Sequence, residues 1–153
     1  MILIFGDSLV DGIKLNCNFH IEKFPGITSE QLLCNYYDLN FYLDEDDYHI
    51  VIIVIGSNDL GQNISENNII DNIISLHKIA WNRNIKTIVV GLSKKFNIFL
   101  LKKLNEYDSI NYLFCDYLEN VSKDKTTDGL HLTLFAKNEF SNQLQELIKK
   151  FDN

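Results

Sequence analysis

Four short polar motifs contain the side chains that acyl-transfer chemistry needs. They are Gly6-Asp7-Ser8, Pro25-Gly26-Ile27-Thr28, Gly56-Ser57-Asn58-Asp59 and Asp128-Gly129-Leu130-His131. A serine hydroxyl becomes a good nucleophile when a neighbouring base takes its proton, and His131 is the candidate base for Ser8. Asp128 lies three residues before His131, close enough in a turn to accept the second ring N–H of the imidazole. Together the motifs predict a serine acyl-transfer site with Ser8, His131 and Asp128 as its catalytic residues.

The negative oxygen that develops during acyl transfer needs hydrogen-bond donors in fixed positions. The candidates are the backbone N–H groups of Ser8 and Gly26 and the side-chain amide of Asn58. Losing one such donor typically lowers turnover by about 10²–10³-fold. We therefore predict an oxyanion hole formed by Ser8, Gly26 and Asn58.

Each motif also has a simpler structural explanation when it is taken alone. Ser8 could cap a helix, Thr28 could begin a capping box, and Asn58 could occupy a loop that tolerates left-handed backbone. Asp128 could cap the last helix. We expect Asp7 to hold its loop by hydrogen bonds to backbone rather than to act in a triad. The catalytic interpretation depends on all four motifs meeting in space.

The elements that would bring them together can be predicted from hydrophobic patterns. Strands are predicted at Ile2–Phe5, Phe19–Phe24, His49–Ile55, Lys86–Val90 and Ile110–Cys115. The third and fourth are continuously apolar, which is typical of strands covered on both faces, whereas the second alternates and is expected at an edge. Helices are predicted at Ser29–Tyr37, Glu66–Trp81 (with Ser65 as N-cap), Phe96–Tyr107 and Glu139–Phe151.

The alternation of strands and helices predicts an α/β protein, a three-layer α/β/α sandwich around a five-stranded parallel sheet. The expected strand order is flavodoxin-like, 2-1-3-4-5, with right-handed crossovers. All four polar motifs then follow the carboxyl ends of strands, where open α/β sheets bind ligands. Only about a dozen residues separate the first two strands, the minimum for a parallel crossover. Any helix there is one turn or absent, and one flank of the sheet is thinly covered.

Composition narrows the range of functions. The chain has 153 residues, which predicts a single domain over residues 1–153. Its net charge of −7 argues against nucleic acid as a partner, and its longest apolar run, Ile50–Ile55, is too short to span a bilayer. Three cysteines without metal-ligand spacing and no targeting segment at Met1 predict reduced thiols in the cytoplasm. No metal or cofactor is expected, and a homodimer that covers the thin flank stays open.

The four motifs resemble those of the SGNH hydrolases, the GDSL esterase/lipase superfamily. The first block appears as GDSL with Ser8, the second as the glycine of PGITSEQLL, the third as GSND with Asn58, and the last as DGLH with Asp128 and His131. The blocks occur in family order over nearly the whole chain. The resemblance implies hydrolysis of esters or thioesters by a Ser-His-Asp triad, without a cofactor or metal.

The chain also departs from the pattern of this superfamily. Gly26 follows Ser8 by only 18 residues, where relatives carry a substantial helix, and no insertion resembles a lid. We therefore expect a shallow, open site for a short acyl group, such as acetyl, on a small-molecule or glycan ester. Two alternatives stay open: an acyltransferase that uses the same site, and a catalytically retired flavodoxin-like binding module.

Overall fold

The computed structural model describes the backbone of residues 1–153 and every side chain except that of Asn35. The strands are β1 (Ile2–Gly6), β2 (Phe19–Lys23), β3 (Ile50–Val54), β4 (Lys86–Val90) and β5 (Tyr112–Cys115). The α-helices are α1 (Ser29–Leu33), α2 (Leu39–Leu43), α3 (Ser57–Gly61), α4 (Glu66–Trp81), α5 (Lys94–Leu104) and α6 (Leu134–Asp152). Short 3₁₀ turns occur at Ser8–Val10, Asn35–Tyr37, Ser109–Asn111, Tyr117–Asn120 and Lys123–Lys125.

The five strands form one parallel sheet in the order β2-β1-β3-β4-β5, which confirms the predicted fold class. The order reverses at β1, whose last residue, Gly6, is in register with Lys23 of β2 and Val54 of β3. The carboxyl ends of these three strands therefore lie side by side. This edge of the sheet is the switch point where α/β proteins of this type bind ligands.

Alternating side chains of each strand supply two separate cores. Leu3 and Phe5 of β1 face the layer of α1, α2, α4 and α5, whereas Ile2 and Ile4 face α6. On this second face, the sheet is covered by α6 and by the connection after β1, which contributes buried residues such as Val10. That connection contains only the 3₁₀ turn Ser8–Val10, as expected from its length. No helix among the described residues combines the length and apolarity needed to cross a bilayer.

The predicted bounds of α1 and β5 differ from those observed. The helix predicted over Ser29–Tyr37 ends at Leu33, because Cys34 is extended, and a 3₁₀ turn then sets the Tyr37 ring 5.0 Å from that of Phe24. The fifth strand begins at Tyr112 rather than Ile110, because the carboxylate of Asp108 accepts the Ile110 N–H at 3.0 Å and caps a turn. The short helices α2 and α3 were not predicted.

Capping residues explain where the longer helices begin. Helix α4 has the predicted bounds, and Ser65 caps it as predicted. The predicted starts of α5 and α6 were late, because Ser93 and Thr133 cap these helices at Lys94 and Leu134. The exposed Leu134 falls outside the apolar stripe of its helix, so hydrophobic periodicity alone could not locate that start.

Candidate active site

The position of Ser8 is set by the close approach of strands β1 and β3 at their carboxyl ends. The Asp7 N–H donates to the Val54 carbonyl at 3.0 Å, and a Cβ atom on Gly6 would lie only 2.0 Å from that oxygen. Only glycine fits there. The Asp7 carboxylate then accepts the Leu9 N–H at 2.9 Å, so the chain turns sharply after β1. Ser8 consequently starts a 3₁₀ turn with its side chain half-buried at the carboxyl edge of the sheet.

His131 lies on a short hairpin between β5 and α6. An antiparallel bridge joins Thr126 to Leu132, and the Thr127 N–H donates to the His131 carbonyl at 2.8 Å. Gly129 at the tip has φ of +84°, a left-handed conformation that glycine adopts without steric cost. The hairpin holds the imidazole above the end of β1.

Asp128 organises both the backbone and the ring of the hairpin. Its Oδ1 accepts the N–H groups of Leu130 at 3.0 Å and His131 at 2.7 Å, and its Oδ2 lies 2.6 Å from His131 Nδ1. The hydrogen bond from the imidazole, followed by those from the backbone, holds the pKa of Asp128 well below its usual range. The carboxylate therefore stays ionised at neutral pH and fixes the ring.

The contact that joins the ends of the chain is between Ser8 and His131. The Ser8 Oγ lies 3.1 Å from His131 Nε2, across 123 residues of sequence. When the neutral imidazole donates its Nδ1–H to Asp128, its Nε2 is free to accept the Ser8 hydroxyl proton. The structure thus brings the three predicted catalytic side chains into one hydrogen-bonded chain. His131 and Asp128 remain open to solvent, with side chains 46% and 53% exposed.

Gly26 and Asn58 are positioned on the other side of Ser8. The Ile27 N–H donates to the Phe24 carbonyl at 3.2 Å and Gly26 has φ of +78°, as in a type II turn with Pro25 at its second position. The Asn58 side-chain amide donates one N–H to the Ile27 carbonyl at 3.0 Å. Among the described residues, the backbone N–H groups of Ser8 and Gly26 have no acceptor.

Two buried carboxylates tie these loops together. Asp7 accepts the Ser57 hydroxyl at 2.9 Å, so the residue before Ser8 is linked to the residue before Asn58. Asp59, the residue after Asn58, accepts the N–H of Ser29 at 2.9 Å and its hydroxyl at 2.8 Å. Both carboxylates are fully buried, and burial raises the pKa of Asp7 to about 6.

Two grooves near the site both include Leu9 and Leu132 in their walls, and one of them also includes Ser8. One has a volume of about 160 Å³ and is lined by Ser8, Leu9, Asp11, Lys23, Pro25, His131, Leu132 and Lys137; we call it the lysine groove. The other has a volume of about 320 Å³ and walls that are rich in leucine, from Leu9, Leu60, Leu92, Leu118, Leu130 and Leu132; we call it the leucine groove. Ser8 thus lines a groove with charged walls, and the next residue, Leu9, also lines one that is rich in leucine.

Several residues of the site were not identified from the sequence. Ser57 lies within the third motif and Ser29 directly follows the second, and only their buried carboxylate partners reveal their roles. Lys23 lies two residues before the second motif and Lys137 six residues after the last, and neither residue type nor spacing marks them. No group of three or more His, Cys, Asp or Glu side chains in the described part of the chain is arranged to hold a metal ion.

Comparison with known proteins gives matches in structure only. No family model matches the sequence, and no curated protein matches it. Among solved structures, the esterase EstA from Pseudoalteromonas sp., inhibited by monoethylphosphonate, has a TM-score of 0.79 at 18% identity, covering 99% of this chain and 98% of its own. A family 3 carbohydrate esterase from Clostridium thermocellum has a TM-score of 0.70 at 19% identity, covering 99% and 96%.

A third similar structure carries the name of the predicted superfamily. It is a GDSL-like lipase from Bacteroides thetaiotaomicron, with a TM-score of 0.68 at 19% identity, covering 97% of this chain and 85% of its own. These likenesses extend over nearly the whole chain. They show that the chain has the fold of the GDSL/SGNH hydrolases, and at the level of the fold they confirm the resemblance seen in the sequence.

Proposed function

We propose that this chain, as one domain, is a serine esterase that hydrolyses a short-chain acyl ester, such as an acetyl ester, on a small molecule or glycan. The observation that carries the proposal is the hydrogen-bonded chain from Ser8 Oγ through His131 to Asp128, with distances of 3.1 and 2.6 Å. These three residues come from two motifs that are distant in sequence. If Ser8 and Asp128 only capped helices, the two motifs would have no reason to be in contact. The solved structures of the same fold include named esterases.

In the proposed reaction, His131 Nε2 removes the Ser8 proton as Oγ attacks the ester carbonyl. Asp128 keeps the other nitrogen protonated and stabilises the imidazolium that forms. The carbonyl oxygen becomes negative and is stabilised by the N–H groups of Ser8 and Gly26 and by the amide of Asn58. His131 then protonates the departing alcohol. A water molecule, activated by the same imidazole, releases the acid and regenerates Ser8.

The loops around these donors are suited to preorganised stabilisation of charge. Asn58 is fixed by its bond to Ile27, and its neighbours Ser57 and Asp59 are fixed through Asp7 and Ser29. Donors that are already in position do not have to reorganise when charge develops, which is the main source of their catalytic effect. These contacts support an oxyanion site rather than a retired binding surface.

The surroundings of Ser8 favour a short acyl group. The connection after β1 contains only one 3₁₀ turn, so no helix covers the nucleophile from that side. We place the acyl group at the leucine groove and the alcohol moiety at the lysine groove. Turnover should therefore be greater with acetyl and butyryl esters than with palmitoyl esters of the same alcohol. Comparable rates with acetate and palmitate would contradict the short-chain proposal.

A fluorophosphonate probe tests the nucleophile directly. The wild-type protein should be labelled, Ser8→Ala should not, and the matched variant Ser65→Ala, at the exposed cap of α4, should be labelled like wild type. Hydrolysis of p-nitrophenyl acetate should follow the same pattern. Labelling that persists in Ser8→Ala, or that never occurs in wild type, would overturn the assignment.

An acyltransferase would use the same residues, with an alcohol in place of water. The open site is compatible with this activity, because the exposed imidazole of His131 can deprotonate either water or an alcohol. Product analysis in the presence of a competing alcohol separates the two activities. A hydrolase releases the free acid at all acceptor concentrations, whereas a transferase accumulates the new ester.

A further inference from the structure

The lysine groove contains an arrangement of charge that the proposed reaction does not use. Lys23 Nζ lies 2.7 Å from Asp11 Oδ1, and Lys137 Nζ lies 3.7 Å from Asp11 Oδ2. Two ammonium groups thus share one carboxylate, and the cluster carries a net charge of +1 in a chain whose overall charge is −7. One carboxylate cannot neutralise two ammonium groups, so one net positive charge remains in the wall of the groove.

Each member of the cluster is held in place by a different part of the fold. Lys23 ends β2 in register with Gly6, and strands of one sheet lie about 4.8 Å apart. The start of its side chain is therefore fixed one strand away from the turn that carries Ser8. Asp11 follows that same turn directly.

Lys137 reaches the cluster from the first turn of α6. Its stem crosses Gly12, where an added Cβ would lie 2.7 Å from Lys137 Cδ. The absence of a side chain at Gly12 is thus what allows the lysine to lie along the connection and approach Asp11. Its side chain is only 26% exposed, so the ammonium is directed along the protein surface rather than into bulk solvent.

The hairpin contributes a further polar side chain to this groove. His131 lines the groove together with the two lysines, and its partner Asp128 is engaged by the imidazole and two backbone N–H groups. Asp128 does not line the groove, so a substrate group there meets the cluster of Lys23, Lys137 and Asp11, with its net charge of +1, next to the reacting atoms. This combination attracts an anion and repels a cation.

We propose that the lysine groove binds an anionic group, a carboxylate, sulfate or phosphate, on the alcohol moiety of the substrate. The inference rests on the proposed esterase function and adds a substrate class to it: acyl esters of acidic alcohols. Lys23 and Lys137 are specificity-determining residues in this scheme. Asp11 holds the two ammonium groups together and competes with the substrate for them.

Matched substrates test this proposal. The first pair is 4-acetoxybenzoate and the neutral 4-acetoxybenzamide, which differ in charge on the alcohol side. The second pair, the 4-nitrophenyl esters of glutarate and glutaramate, differs in charge on the acyl side. We expect wild type to prefer the anionic member of the first pair by about tenfold in kcat/KM, and we expect that preference to shrink at high salt. A preference confined to the second pair would place the anion on the acyl side and overturn the alcohol assignment.

Variants identify the residues responsible. Lys23→Gln and Lys137→Gln should each reduce the anionic preference by about two- to fivefold, the range for a partly exposed ion pair. The preference is the ratio of kcat/KM for the two members of a pair, so an effect common to both members cancels. Lys149→Gln, on the far part of α6, is the matched control and should change nothing. Asp11→Asn should raise the preference, because it removes the competing carboxylate. An unchanged preference in the Lys23→Gln/Lys137→Gln double variant would overturn the proposal.

Failure of the esterase function would look different. In that case wild type hydrolyses neither member of either pair, and a fluorophosphonate probe leaves Ser8 unlabelled. The anion site is then judged by calorimetric titration of 4-hydroxybenzoate into wild type and into Lys137→Gln. Equal binding, or none, in the two proteins would overturn the site itself.

Discussion

The two sides of the candidate site are built in different ways. On one side, the loops that carry Ser8 and Asn58 are tied by carboxylates that are fully buried, Asp7 and Asp59. On the other side, Asp128 and His131 lie on a hairpin and are about half exposed. A buried carboxylate destabilises the folded state unless it is hydrogen-bonded, so the hydrogen bonds that position these loops also stabilise the fold. On the exposed side, replacing the Asp128 carboxylate leaves no buried group without a partner.

This difference suits the proposed chemistry. Donors of an oxyanion hole must stay within a few tenths of an ångström of their positions, which buried hydrogen bonds to Asp7 and Asp59 provide. The imidazole must exchange protons with solvent, alcohol and water, which exposure allows. We therefore expect substitutions of Asp128 and His131 to change mainly activity, and substitutions on the buried side to change mainly stability.

The largest effect is expected for Asp128→Asn. An asparagine amide can donate to His131 Nδ1, which leaves the proton on Nε2 and prevents that atom from accepting the Ser8 proton. Turnover of p-nitrophenyl acetate should fall by about 10²–10⁴-fold. A urea titration should show that the variant stays folded, because the asparagine Oδ1 can still accept the N–H groups of Leu130 and His131. Asp124→Asn, four residues earlier, serves as control. Near-normal turnover in Asp128→Asn would remove Asp128 from the proposed triad.

Gly6→Ala should mainly reduce stability. The added Cβ would overlap the Val54 carbonyl of the central strand, 2.0 Å away, and neither strand can yield without breaking the sheet. We expect a loss of about 4 kcal/mol in the free energy of unfolding, measured by urea titration. Gly61→Ala is the matched control, because its Cβ would meet nothing within 4 Å. Similar losses in the two variants would contradict the close approach at Gly6.

Asp7 should make stability depend on pH. Burial raises its pKa from 3.8 to about 6, so the folded state holds the proton over a range where the unfolded state has lost it. The folded state therefore loses stability as pH rises from about 4 to about 6, by on the order of 3 kcal/mol. Asp7→Asn removes this contribution.

The measurement is the difference in unfolding free energy between wild type and Asp7→Asn from pH 4 to pH 8. Wild type should become less stable relative to the variant as pH rises, and the difference should level off above about pH 7. Other titrating groups contribute equally to both proteins and cancel. A difference that does not vary with pH would show that the pKa of Asp7 in the folded state is not raised.

The smallest effect is expected for Gly129→Ala. Its φ of +84° is left-handed, but an added Cβ would meet nothing within 4 Å. The cost is therefore the conformational strain of about 1 kcal/mol, seen as a small decrease in melting temperature. Gly129→Asn should recover part of it, since asparagine tolerates this conformation. A loss as large as that of Gly6→Ala would mean that the hairpin is packed like the sheet.

Much of the fold could be predicted from local patterns. Helix α4 and strand β4 have the predicted bounds. The long amphipathic pattern of α4 fits only a helix, and the continuous apolar run of β4 fits only a buried strand. The short helices α2 and α3 could not be predicted, since five residues are too few for a period to appear. The start of α6 was missed for a related reason: its exposed first turn carries apolar residues.

The sequence by itself determined which side chains are available for chemistry and, through the strand order, at which edge of the sheet they gather. Only the tertiary structure decided their partners. The bond from Ser57 to Asp7 and the approach of Lys137 to Asp11 join residues that share no local pattern. Such pairs depend on register, backbone turns and the space left by glycine at Gly6 and Gly12, and these are properties of packed elements in three dimensions.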